Sequence, residues 1–241
     1  MSILNPSGAA PQVHAVRAFD ARVVDEPWPW AQQNADEIAR HWQERAAQQP
    51  SLFDGRVLVA RALDIEHGVL RSRHVVVPFS ALLLWRDRSF PEAGAWNVFG
   101  SAVVVSSDGA VLLGRMGAHT SNAGRSYFPA GTPDLDDVQG GRLDIEGSIL
   151  RELEEETGLH PGQLHPSGQR WVIRDGAIVS CARRIDTGLS ARELADLTRA
   201  HLLREDEPEL DGVLLLHRQS DADPATVPAY VRTLLGELLP P

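Results

Sequence analysis

Nine residues, Arg151-Glu152-Leu153-Glu154-Glu155-Glu156-Thr157-Gly158-Leu159, combine acidic side chains at a spacing that bears on chemistry. On an α-helix Glu152, Glu155 and Glu156 stand at i, i+3 and i+4, so their carboxylates share one face. Three like charges there repel one another and weaken the isolated helix. A divalent cation offsets that repulsion, and Mg²⁺ or Mn²⁺ prefers hard oxygen ligands. Gly158 ends the helix as the usual left-handed terminator. Acidic runs on helices are ordinarily solvated faces, so spacing alone does not separate a metal site from a wet surface.

The order of the residues does separate them. Five fixed residues at ordinary usage recur by chance roughly once per million windows. The pattern R-E-apolar-x-E-E-x-G-apolar resembles the core of the Nudix box, the signature of the Nudix hydrolases. That resemblance implies metal-dependent hydrolysis of the pyrophosphate bond in a nucleoside diphosphate linked to a group X. A pyrophosphate is already anionic and water attack adds charge, which a carboxylate-held cation neutralises. By the same resemblance Glu155 and Glu156 are metal ligands, and Glu152 assists as ligand or base. Arg151 pairs with the carboxylates and fixes their rotamers, and a backbone carbonyl in Pro129-Ala130-Gly131, assigned to Ala130, completes the coordination.

The chain departs from the longer family pattern, which has a Gly, five residues, a Glu, then seven residues before Arg-Glu. In strict register those positions are Asp137 and Leu143. Phe128-Pro129-Ala130-Gly131 looks like the start of the box, with Asp134 to Gly140 inserted before the helix. Asp144 or Glu146 is then the substitute for the lost glutamate, whose usual partner is the arginine. Many family members recruit another carboxylate from beyond the box. Within Glu205-Asp206-Glu207-Pro208-Glu209-Leu210-Asp211, Glu209 is the choice because it precedes a late strand, although such runs are more often solvated connectors.

With no lysine in the sequence, all 23 basic residues are arginine, so any basic phosphate contact is a guanidinium fork. Arg115 and Arg125 flank a polar loop leading into the Pro129 turn and are the substrate-binding candidates, together with Phe128. His119 lies in that loop, whereas His160 and His165 follow the acidic helix; lone loop histidines are usually solvent-exposed.

These residues need elements to hold them. Residues 1 to about 30 read as an irregular arm ending in Pro27-Trp28-Pro29-Trp30, whose tryptophans pack on the body. Asn34 caps a helix to about Gln48, with Ile38 and Trp42 on its buried side, and Pro50 ends it. Strands follow at 56–63 and near 68–73, while 78–86 fits a buried helix or strand equally. Hairpins are expected across Asp108-Gly109 and Asp175-Gly176, with the acidic helix at about 146–157 between them. Ser190 with Glu193 forms a capping box for another helix. A strand at 213–217 and a helix at about 226–238 complete the chain. Alternating strands and helices imply an α/β protein, and the resemblance implies a Nudix-type α/β/α sandwich with a mixed sheet. The expected division is an N-terminal extension packing on the core, 1–90, and a hydrolase domain, 91–241.

The formal charge of −10 and the lack of a basic stripe argue against nucleic acid as a partner. They leave a small anionic nucleotide open, since a bound metal inverts the local field. The single cysteine, Cys181, excludes an internal disulfide and reads as a small core residue. No secretory signal or bilayer-length apolar run is found, so a cytoplasmic protein away from membranes is expected. The N-terminal tryptophans would serve a homodimer as readily as a monomer. A looser similarity runs through 49–55, Gly100-Ser101-Ala102 with Asp108, and 128–134. It is to animal Nudix hydrolases acting on UDP-glucose, and it points to a nucleotide sugar, with ADP-ribose, NADH and coenzyme A also open. A non-catalytic Nudix-fold nucleotide sensor is the competing class; such proteins commonly lose the glutamate pair, which is retained here.

Overall fold

A computed structural model of the protein describes residues 10–50, 52–120 and 122–241. In chain order the first half contains β1 (Gln12–Val16), β2 (Ala18–Val23), α1 (Pro29–Gln33), α2 (Ala35–Gln48), β3 (Arg56–Glu66), β4 (Val69–Pro78), α3 (Phe79–Asp87), β5 (Asn97–Val105) and β6 (Val111–Met116). Four short strands follow, β7 (Ser126–Tyr127), β8 (Ala130–Gly131), β9 (Val138–Gln139) and β10 (Arg142–Leu143). The rest comprises α4 (Ile145–Thr157), β11 (Leu164–Asp175), β12 (Ile178–Thr187), α5 (Ala191–Leu202), β13 (Leu210–Leu216) and α6 (Ala229–Leu238).

Two mixed sheets organise these elements. The larger has the order β1-β11-β12-β5-β6-β13, with β7 on β6 and β8 on β5; the smaller runs β3-β4-β2-β10-β9. The pairs β12–β5 and β2–β4 are parallel. Side chains alternate across β5. Val98, Ala102 and Val104 enter a core shared with α4, α5 and the smaller sheet, while Val103 and Val105 enter a second core under α6. A third core lies on the far face of the smaller sheet, where Val57, Val59, Val75 and Val77 meet Leu82, Trp85 and Trp28. The protein is therefore α/β with mixed sheets. Cys181 is fully buried in the first core. Among the described residues no helix is long and apolar enough to cross a membrane.

The N-terminal segment corrects the expected arm. β1 pairs with β11, Gln12 opposite Arg174, and β2 lies between β4 and β10. These strands form because neighbouring strands offer unpaired edges, a tertiary cause that local composition does not register. Residues 1–9 of the expected arm fall outside the described residues. The tryptophans do pack on the body: Trp28 stacks on Trp30 at 5.0 Å and meets the edge of Trp85 at 5.2 Å. Residues on both sides of position 90 share both sheets, through β1 in the larger and β9–β10 in the smaller.

The ambiguous segment at 78–86 is α3, with Ser80 through Trp85 all buried. A helix with six consecutive buried residues shows no amphipathic period, which is why its sequence fitted helix and strand equally. Asn34 precedes α2 without capping it by its side chain. Its Nδ2 donates to the Trp30 carbonyl at 2.7 Å and its Oδ1 accepts from Arg88 at 3.3 Å. β3 and β4 run longer than expected and join at His67-Gly68, both with positive φ (50° and 71°), as a tight hairpin turn demands. The insertion before the acidic helix is ordered too. It leads into the β9–β10 hairpin, turned on Gly140 and Gly141, and β10 adds to β2.

His74 on β4 is completely buried, with Nε2 2.9 Å from Ser72 Oγ and Nδ1 lacking a hydrogen-bond partner. Burial lowers its pKa to about 4. The unfolded chain therefore binds a proton below about pH 6.5 that the folded chain refuses until near pH 4, so acid favours unfolding in that window. Lowering the pH from 7 to 5 should remove about 2 kcal/mol of stability through this group. Urea unfolding at both pH values measures it, and His74→Asn should abolish that part of the loss whatever its effect on absolute stability. An identical pH dependence in the variant would refute the assignment.

Candidate active site

The acidic helix, α4, is held by its apolar stripe. Ile145, Ile149 and Leu153, at i, i+4 and i+8, are buried in the first core, each contributing roughly 1.5–3 kcal/mol. β5 admits the helix closely because Gly100 has no side chain: a Cβ there would lie 2.5 Å from Ile149 Cγ1. Asp144 caps the helix by accepting from the Gly147 N–H at 2.9 Å. Gly158, at φ 71°, terminates it and donates to the Glu154 carbonyl at 2.8 Å. From α5, His201 Nε2 donates to the Glu155 carbonyl at 2.8 Å. Both ends of the carboxylate-bearing segment are thus fixed.

Glu156 turns inward and is only 6% exposed. Its Oε2 accepts from the Ala130 N–H at 3.1 Å, whereas Oε1 is buried with no hydrogen-bond partner. Burial pushes this carboxyl well above the usual range, and the charges of Glu152 and Glu209 push it further. Burial also raises Glu152 to about 7, against the opposing pull of Arg151 and with added repulsion from Glu155 and Glu209. Gly131 leaves the space for it, since a Cβ there would fall 2.0 Å from Glu152 Cδ. Glu155 is the most open of the three, its side chain 58% exposed. Glu209 stands immediately before β13 and lines the same cleft as Glu152; its carbonyl accepts from the Gly117 N–H at 2.8 Å. The structure therefore brings Glu152, Glu156 and Glu209 into one electrostatic cluster.

Among the described residues no three Asp, Glu, His or Cys side chains form a ready-made metal cage. The carboxylates are spread along Arg151 instead. Its Nη1 meets Glu152 Oε1 and Glu155 Oε2, each at 3.0 Å, and its Nη2 meets both oxygens of Asp137 at 3.1 Å. The donor set still fits a hard divalent cation: it is all carboxylate oxygen, mutually repelling, with one buried oxygen unsatisfied.

The partner of Arg151 corrects the sequence reading. Neither Asp144 nor Glu146 fills that role. Asp144 is occupied as the helix cap, and Glu146 turns to the other side of the helix to pair with Arg170 and Arg183. The partner is Asp137, its side chain 5% exposed, supplied by the insertion just before β9. Its signal was present but misassigned, because strict register had placed Asp137 at the glycine position of the family pattern.

Of the substrate candidates, Arg125 lines the cleft, as does His119 from the same loop. Arg115 does not; it lies exposed at the edge of β6, paired with Asp211. Phe128 is 1% exposed in the core under α6, because side-chain alternation turns its neighbour Tyr127 to the cleft instead. His160 pairs with Glu154 at 2.8 Å, and His165 is exposed on β11. Sequence reasoning missed the opposite wall, where Phe79, Leu82 and Arg86 of α3 and the following Phe90 close a cleft of about 860 Å³. Above it, the Gln49 side chain donates to the His119 carbonyl and ties the two rims together.

No family model and no curated protein matches the sequence. Among solved structures the chain is similar to the MutT protein of Methanosarcina mazei, at 20% identity and a TM-score of 0.40, covering 59% of this chain and 92% of that one. It is similar to the Nudix hydrolase RenU of M. smegmatis, at 14% identity and 0.37, covering 58% and 82%. A Nudix hydrolase of Nitrosomonas europaea gives 16% and 0.37, covering 60% and 93%.

Proposed function

We propose that the protein is a metal-dependent pyrophosphohydrolase of the Nudix type, cleaving a nucleoside diphosphate linked to X, with nucleotide sugars such as a UDP-sugar or ADP-ribose as the first substrates to test. The observation that carries this reading is Glu156, a buried carboxylate with one unsatisfied oxygen, crowded by Glu152 and Glu209. Burial and the neighbouring carboxylates disfavour the ionised form of this group, and a divalent cation would supply the counter-charge that lets it ionise and bind. A non-catalytic nucleotide sensor would have no need of the full glutamate set.

In this reading Glu155, Glu156 and Glu152 hold Mg²⁺ or Mn²⁺, with the Ala130 carbonyl as a further donor. The bound ion supplies neutralisation of the charge that develops on the phosphoryl oxygens. Arg151 keeps the carboxylate rotamers fixed, and Asp137 keeps Arg151 fixed. Arg125 binds a phosphate from the open side. Glu209 accepts a proton from the attacking water. The water oxygen bonds to one phosphorus, the bridging P–O bond breaks, and the bridging oxygen leaves with the electron pair. The products are a nucleoside monophosphate and X-phosphate.

A panel of UDP-glucose, ADP-ribose, NADH and coenzyme A, assayed with Mg²⁺ and Mn²⁺, tests the reading. Glu156→Gln should lower turnover by about a hundredfold or more while the protein melts no lower than wild type, because an amide of the same shape replaces a carboxyl whose ionisation burial and its neighbours disfavour. Turnover of no substrate, or an unimpaired variant, would sink the catalytic assignment. Glu209→Gln should reduce kcat at least about tenfold; unchanged kinetics would remove Glu209 from the site. Asp137→Asn should weaken divalent-ion binding by roughly ten- to a hundredfold with circular dichroism unchanged. Wild-type affinity in calorimetry would show that the Asp137–Arg151 pair is merely structural.

A further inference from the structure

Beyond the carboxylates the cleft has a second end that the hydrolytic chemistry does not use. There Asp175, Ile178 and Asn97 form one row across three strands. Asp175 pairs with Ile178 between β11 and β12, and Ile178 pairs with Asn97 between β12 and β5. Residues paired across strands send their side chains to the same face, and all three line the cleft. Two strand spacings, roughly 10 Å, separate the outer members at Cα. Beside the row, Phe99 and Tyr230 meet edge to face, with ring centroids 6.0 Å apart.

The outer members are acceptors without donors. The Asp175 carboxylate makes no hydrogen bond or ion pair with the described residues, and its only perturbation is burial, which raises its pKa. Asn97 Oδ1 is buried without a partner. Oxygens left this way call for N–H groups from a ligand. The charge of the cleft does not choose the ligand, since Glu152, Glu207 and Glu209 line it together with Arg86 and Arg125; the apolar and aromatic surface beside the row does. A neutral flat ring suits the surroundings: its face covers Ile178 and the aromatic pair, and its edge meets the oxygens. Among nucleobases, guanine presents N1–H and N2–H side by side, the arrangement a carboxylate accepts with both oxygens. Adenine offers an amino group beside an acceptor nitrogen. Uracil flanks its one N–H with two carbonyls that would face the carboxylate.

We propose that this end of the cleft is a base pocket in which Asp175, with Asn97, selects guanine. The proposal rests on the hydrolytic reading for its nucleoside diphosphate ligand, and it names the base that reading leaves open.

Four substrates sharing one sugar isolate the base: GDP-glucose, ADP-glucose, CDP-glucose and UDP-glucose. The expected kcat/KM for GDP-glucose exceeds that for UDP-glucose by at least roughly tenfold. Asp175→Asn should erase that advantage by lowering the GDP-glucose value at least roughly tenfold, while the UDP-glucose value does not fall, because the repulsion between the carboxylate and the uracil carbonyls is removed. Equal values across the bases, or a uniform fall in the variant, would overturn the proposal. Calorimetric binding of GDP, ADP and UDP reads the pocket without hydrolysis. Tighter binding of GDP, lost in Asp175→Asn, supports the pocket even if no substrate is cleaved, an outcome that would defeat only the hydrolytic reading. Indifferent binding by the wild-type protein overturns the pocket whatever is hydrolysed, and it needs no folded variant.

Discussion

One guanidinium, that of Arg151, answers carboxylates from two separate parts of the chain. Glu152 and Glu155 come from its own helix, whereas Asp137 comes from the insertion that precedes it. Burial works against the Arg151 charge, yet Glu152, Asp137 and Glu155 outweigh it and hold the group firmly protonated. Because the Arg fork is planar and its donors point in fixed directions, those contacts set side-chain geometry as well as charge balance. Asp137 in turn is placed by the turn into β9–β10, and β10 is paired with β2 from the N-terminal segment. The geometry of the acidic face is therefore supported by residues more than a hundred positions earlier.

The helix also shows how one element can serve stability and chemistry on adjacent faces. Ile145, Ile149 and Leu153 secure it to β5, and Gly100 and Gly131 remove the side chains that would hold it off. That close seating brings Glu156 beneath the Ala130 N–H, where one oxygen is satisfied and the other is not. Hydrophobic packing thus provides the force that keeps an unfavourable charge in place.

What could be read from the sequence was mostly local chemistry. Ser190 and Glu193 form the reciprocal cap that their spacing implied, with both Ser190 N–H and Oγ donating to Glu193. The acidic helix, its glycine terminator and the two Asp-Gly hairpins followed from side-chain spacing and turn preference. Glu209 was singled out from a solvated-looking run by its position before a strand, and it stands in the electrostatic cluster. What stayed hidden depends on distant partners. β1 and β2 are strands because other strands receive them, and Asp137 finds Arg151 only once the insertion has folded back. Phe128 was named for the cleft that Tyr127 lines instead, because the strand before it, Ser126–Tyr127, is too short for alternation to declare a phase. The α3 wall was invisible because six consecutive buried residues leave no polar alternation to mark a face.

The pairing of Gln12 with Arg174 has a consequence for how the chain acquires its structure. A ribosome makes β1 long before β11, which begins only at Leu164, so β1 must await a partner far along the chain. β2 meets β4 sooner, but its other edge stays open until β10 emerges. Loop closure over such separations slows folding, and open strand edges are templates for pairing with other chains. The same long-range stitching that ties the N-terminal segment to the acidic helix leaves the nascent chain exposed to misassociation until β10 and β11 have emerged.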